Sequence, residues 1–213
     1  KKENEMNLEA TITGLKKGTV YLQKIKDSSL INLDSIIVNG QETLSLSTIV
    51  ETPELFYLYV DKVDGTEYND RVIFFGEKGE IKLSTHLDKI NNKVSIKGSK
   101  NHQIYTKYQN SLKNINKQLG QANLEFIKAQ LNNDQESIVA LDKKVSKLMR
   151  SRYLRSIQFA LNNKKSSVAA YIGAREISEA NVIYLDSIYN GLSKKAKNTI
   201  YGKELKLLIN SRK

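Results

Sequence analysis

The spacing of apolar residues changes once along this chain, at Gly98-Ser99, and that change limits the fold more than any other feature. Beyond it, Tyr105, Tyr108, Leu112, Ile115, Leu119, Ala122, Phe126 and Ala129 recur in unbroken steps of three and four. This is a heptad seam, a pattern that a helix satisfies and a strand does not. Asn132-Asn133-Asp134 ends the run and caps a second helix, with its seam through Ile138, Leu141, Val145 and Leu148. The next seam position is Arg152, so the stripe is expected to slip to Tyr153, Ile157 and Leu161. Such a slip fits a helical hairpin in a globular unit better than a long free coiled coil. Asn162-Asn163 closes the second helix. Ser166 or Ser167 then caps a short helix over 168–172 that stops near Gly173. Ser178 starts a stripe of Val182, Leu185, Ile188 and Leu192, and Ser193 starts a last helix burying Ile200, Leu205, Leu208 and Ile209. The expectation is a C-terminal all-helical bundle of about five helices, uninterrupted because no proline follows Pro53.

Before Gly98 the period is two. Leu8, Ala10 and Ile12 alternate with polar residues, Lys16-Lys17-Gly18 turns the chain, and Val20 and Leu22 resume the alternation. The run 30–38 leads into Asn39-Gly40, a strong hairpin signal because both residues tolerate positive φ, and 43–50 is the expected returning strand. Pro53 precedes an aromatic-rich strand over 55–61, and 71–75, 80–84 and 93–97 bring the count to about eight. Short, closely spaced strands of this kind read as an antiparallel β-sandwich or barrel-like module. The class is therefore α+β, with a β-rich domain at 1–98 and a helical domain at 99–213.

Charge follows the same division. Residues 1–100 hold 14 Lys and Arg against 15 Asp and Glu, whereas residues 101–213 hold 20 against 8, so the net +11 belongs to the second half. An excess of that kind suits a polyanion or an anionic surface, and equally a solvated helix face. The chain has no cysteine, which excludes disulfides, thiolate nucleophiles and Cys-ligated metal sites within these residues. Its longest apolar runs fall well short of the roughly 20 residues a spanning helix needs. The polar start at Lys1-Lys2-Glu3, without an initiator Met, reads as a processed, exported product.

Catalytic patterns are missing. His86 and His102 have no HExxH neighbourhood or histidine at helical spacing, and are expected in surface or capping roles. Glu77, Glu80 and Asp88 read as turn and edge charges. Gly14-Leu15-Lys16-Lys17-Gly18 lacks the phosphate-loop pattern and reads as a hairpin turn. No GxSxG or SxxK occurs. The reading is a protein that is not an enzyme and holds no cofactor or metal, with two candidate binding features. One is the aromatic group around Tyr57, Tyr59 and Tyr68: alternation sends Phe56 and Leu58 to the core and the tyrosines to the outer face of the sheet or against the helical half. The other lies in the basic stretch Lys143, Lys144, Lys147, Arg150, Arg152 and Arg155, where Lys143, Lys147 and Arg150 fall on the outward face if the seam runs through Leu141, Val145 and Leu148. The β-rich half has no positive excess to hold a nucleic-acid backbone, so no specific nucleic-acid partner is expected.

The order of several short segments resembles a known family. Thr13-Gly14-Leu15, Val20-Tyr21-Leu22, Leu33-Asp34-Ser35, Val38-Asn39-Gly40 and Thr52-Pro53-Glu54-Leu55 resemble the N-terminal domain of unknown function of bacterial thiol:disulfide interchange lipoproteins. Phe74-Phe75-Gly76-Glu77-Lys78-Gly79-Glu80-Ile81 is similar to that family's Phe-x-Glu-x-Gly-x-Ile segment, and Gly98-Ser99-Lys100-Asn101 to the step into its helices. Ser166-Ser167-Val168-Ala169-Ala170-Tyr171 and Tyr201-Gly202-Lys203 resemble the region that joins it to a thioredoxin module. The strand over 43–50 departs from the family in being longer and lacking a glycine. The resemblance implies an envelope location facing the periplasm, a lipid anchor before Lys1, and an envelope protein or peptide as partner, met near the junction of the two halves. The family's Cys-x-x-Cys is not among these 213 residues, so its redox step is not carried over.

Overall fold

The structure, a computed structural model, describes residues 4–62, 70–90 and 94–213. Contacts divide the chain into two compact units, residues 1–103 and 104–213. The first unit holds strands β1 (Glu5–Thr13), β2 (Lys17–Lys26), β3 (Ser29–Asn39), β4 (Thr43–Ile49), β5 (Glu54–Lys62), β6 (Asp70–Gly76), β7 (Gly79–His86) and β8 (Ser95–Lys97). They form two four-stranded sheets, ordered β4-β1-β7-β8 and β3-β2-β5-β6. The alternation read from the sequence is what packs them. Met6, Leu8, Ala10 and Ile12 of β1, with Leu44, Leu46, Ile81 and Leu83, share one buried cluster with Val20, Leu22, Phe56, Leu58, Val60, Val72 and Phe74. Successive side chains of a strand face opposite ways, so one apolar row per strand supplies a sandwich core.

Two connections differ from expectation. Asn39-Gly40 does not join paired strands: β3 and β4 lie in different sheets. Gly40, at φ 93°, marks a corner where the chain crosses between sheets, and its N–H donates to the Lys16 carbonyl at 2.9 Å. Residues 14–18 are the neighbouring crossing, from β1 to β2, and not a hairpin turn. The two-residue hairpin falls instead at Asp27-Ser28, both left-handed (φ 48° and 66°), between the paired strands β2 and β3. Nor is the sandwich wholly antiparallel, because β1 pairs parallel with β7, Leu8 opposite Ile81 and Ala10 opposite Leu83.

The helical unit contains α1 (Lys100–Leu131), α2 (Gln135–Asn162), α3 (Ser167–Tyr171), α4 (Val182–Gly191), α5 (Lys194–Lys197) and α6 (Ile200–Asn210). The expected last helix is split, since Thr199 caps α6 anew by accepting from Gly202 N–H at 3.2 Å. Asp134 caps α2, Ser166 caps α3, Ser193 caps α5, and Asn181 rather than Ser178 caps α4. A π-turn over Ile172–Glu176 carries the chain past Gly173, where helix was expected to stop. α1 and α2 run antiparallel: Tyr108 meets Ser156 and Phe159, Arg155 reaches the Ser111 carbonyl, and Lys144 pairs with Glu125. No helix among the described residues is long and apolar enough to cross a membrane.

The first turn of α1 belongs to the β-rich unit, and its backbone explains why. Glu77, in the β6–β7 connection, accepts from the N–H groups of Lys100 and Asn101 and from the Asn101 side-chain amide (2.5 Å). A carboxylate there satisfies orphan amides and complements the helix dipole. Ser99 accepts from His102 N–H at 2.9 Å. Gly98 is required just before, at φ 96°, because a Cβ would strike the Glu80 carbonyl.

Candidate functional site

Tyr57 and Tyr59 stand on the outer face of the β3-β2-β5-β6 sheet, while Phe56 and Leu58 are buried on the inner one. Register brings Tyr59 opposite Tyr21 on β2 and Arg71 on β6. The two rings stack with centroids 5.8 Å apart and planes at 20°, and the Arg71 guanidinium lies 4.6 Å from the Tyr59 centroid. Offset ring pairs and a cation over a ring are both favourable, each by about 0.5–1.5 kcal/mol. Gln23 extends the row: it accepts from Arg71 Nε at 3.5 Å and donates to Asn32 at 2.7 Å. A bulge between Leu22 and Gln23 breaks the alternation there, so both are buried. Beside it Lys24 and Glu54 form an ion pair at 2.9 Å. Tyr68 lies outside the described residues.

The basic stretch of α2 divides into three kinds of side chain. Lys143, Lys147 and Arg150 are exposed at steps of four and three. Lys144 pairs with Glu125 across the hairpin at 3.4 Å, and Arg155 donates to the Ser111 carbonyl at 3.0 Å. Arg152 does not leave the seam, as its charge had suggested. It turns inward and donates to Glu176 Oε2 at 2.9 Å and to the Glu176 carbonyl at 3.2 Å. Tyr171 donates to the other oxygen, Oε1, at 2.9 Å. Ser156 gives its proton to the Arg152 carbonyl, which leaves Tyr108 as donor to Ser156 at 2.9 Å. Burial pushes Tyr108 up to about 12 and Tyr171 upward as well, so both remain neutral donors. Both Glu176 oxygens are thus used in holding α2, α3 and the π-turn together.

The histidines lie apart. His86 is exposed beside a cleft of about 540 Å³ lined with Thr13, Gly14, Lys62, Leu87 and Asp88. His102 Nδ1 accepts from the Phe75 N–H at 3.3 Å, on the rim of the sheet, and burial lowers its pKa. Both ends of that bond lie in the first unit. Sequence reasoning missed Tyr21, Gln23 and Arg71. Tyr21 was legible, since Val20 and Leu22 on either side face inward; which residues stand opposite Tyr59 depends on strand register.

These features define an α+β protein whose outer sheet face carries stacked rings, a guanidinium and a carboxamide in one row. More particularly, residues 6–105 match a family described as Domain of unknown function (DUF4369), so the β-rich unit and the first turns of α1 form a domain of that family. No curated protein and no solved structure matches the chain.

Proposed function

We propose that the chain is a non-catalytic binding or scaffold module of a bacterial cell-envelope lipoprotein, acting on an envelope protein or peptide. The observation that carries this reading is the row Tyr21–Tyr59–Arg71–Gln23. Flat rings and a guanidinium recognise a partner by stacking and hydrogen bonding, while the buried Gln23 holds Arg71 in place. The Glu176 carboxylate is committed to Arg152 and Tyr171. The envelope placement rests on the ordered resemblance to thiol:disulfide interchange lipoproteins. Selection from a displayed peptide library tests the face: the chain is expected to enrich ligands that Tyr59→Ala or Arg71→Ala fails to hold. Equal retention by these variants overturns it. Placement is tested by fatty-acid labelling and fractionation of the full reading frame's product in its host, where an unlabelled cytosolic product sinks that part.

The same resemblance supports a second reading, a substrate-positioning part of a thiol:disulfide oxidoreductase, and a Cys-x-x-Cys in the full reading frame decides it. The exposed row Lys143, Lys147 and Arg150 supports a third, polyanion binding through α2. Nucleic-acid titration at two salt concentrations tests that one, and binding insensitive to salt ends it.

A further inference from the structure

We propose that the outward face of α1 is a docking surface for an anionic lipid bilayer. Leu124, Ile127 and Leu131 follow one another at steps of three and four and are 63%, 53% and 78% exposed. They are not part of the seam. Leu119, Ala122 and Ala129 are buried along it, and at about 100° per residue Leu124 points roughly 140–200° away from them. The same outward line continues toward the start of the helix through Lys117 and Lys113, with Lys128 at its flank, all three exposed. From Lys113 to Leu131 the face is about 27 Å long at 1.5 Å per residue. The one acid of α1, Glu125, lies to the side and is paired with Lys144 at 3.4 Å. An apolar row between lysines, with no carboxylate on the face, is thus held open to solvent.

The dimensions and charge choose the occupant. The apolar row is one residue wide, too narrow for the core of a stable protein interface, which covers roughly 800 Å² on each partner. A bilayer accepts isolated apolar side chains into its headgroup boundary, while lysines lay their stems along them and keep the ammonium among phosphates. A second copy of the chain would bring lysine against lysine. Lysines are point charges without a bidentate fork, which suits a surface of many equivalent phosphates over one shaped acidic group. The face is distinct from Lys143, Lys147 and Arg150 on α2, and it does not depend on the envelope reading, because it requires only an anionic leaflet.

Co-sedimentation with vesicles tests it. The 213-residue chain is expected to sediment with vesicles of mixed phosphatidylglycerol and phosphatidylcholine, and to stay in solution with phosphatidylcholine alone. Replacing Leu124, Ile127 and Leu131 by Gln should lower the partition coefficient at least about tenfold, and Lys113→Glu with Lys117→Glu by about tenfold or more. Because the chain has no cysteine, Leu131→Cys can carry a single polarity-sensitive fluorophore, which should shift to the blue on adding the anionic vesicles. That readout needs no destabilising substitution. Absence of wild-type sedimentation, sedimentation untouched by both α1 variants, or a label that stays in water overturns the proposal. So does binding of an acidic helical peptide by this face while the vesicles are ignored.

Discussion

His102 holds the first turn of α1 by accepting the Phe75 N–H, and only the neutral ring has a lone pair at Nδ1 to do so. Its folded pKa lies below the ordinary 6.5, so the folded protein binds the proton less well than the unfolded chain does. The stabilisation is therefore complete above about pH 6.5 and is lost as pH falls toward the folded value. Urea unfolding at about pH 7.5 and about pH 5 should show that loss, and His102→Phe should remove the part of the slope that belongs to this ring. A slope unchanged by the substitution would refute the assignment. Gly76 is constrained by space: a Cβ there would sit 2.5 Å from Phe56 Cδ2 and 2.6 Å from Met6 Sδ. Gly76→Ala should cost about 1–3 kcal/mol in denaturant, the usual range for overpacking a filled core.

Among elements, the β2–β3 hairpin turns on two non-glycine residues in the left-handed region, Asp27 and Ser28. That conformation is sterically unfavourable for L-residues with a Cβ, so Ser28→Gly should raise stability by up to about 1 kcal/mol, the relief being offset in part by a freer unfolded chain. A lower melting midpoint for this variant would contradict the turn. Thr199 separates α5 from α6 by donating to the Ala196 carbonyl at 2.7 Å and accepting from Gly202 N–H. Thr199→Ala should destabilise the helical unit by about 1–2 kcal/mol, read from the helical circular-dichroism midpoint. Caps were partly legible: Asp134, Ser166 and Ser193 are short polar residues placed just before apolar periods, and each accepts an amide as expected. The Asn39-Gly40 hairpin was not. That dipeptide specifies a local reversal of φ, not which strand the emerging chain will pair with, and here the chain changes sheets.

At the scale of the whole chain, each unit has its own buried cluster. β1 lies inside its sheet, paired on one side with β4 and on the other with β7. Removal of residues 1–13 takes away Met6, Leu8, Ala10 and Ile12 together with both ladders, so amide dispersion of the β-rich unit should collapse in NMR spectra. The helical signal at 222 nm should persist, since the buried residues of α3, α4 and α6 are contributed by residues 167–209. Loss of both signals together would show the units to fold as one. The apolar period, being a local property, determined by itself where strands give way to helices and which face of β1, β5 and α1 is buried, though not that Ile200 of α6 is exposed. Tertiary structure alone decided the parallel β1–β7 pairing, the stacking of Tyr59 on Tyr21 beneath Arg71, and the inward turn of Arg152 toward Glu176. Each of these joins residues far apart in the chain. Their energy depends on register and desolvation, which no window of neighbouring residues contains.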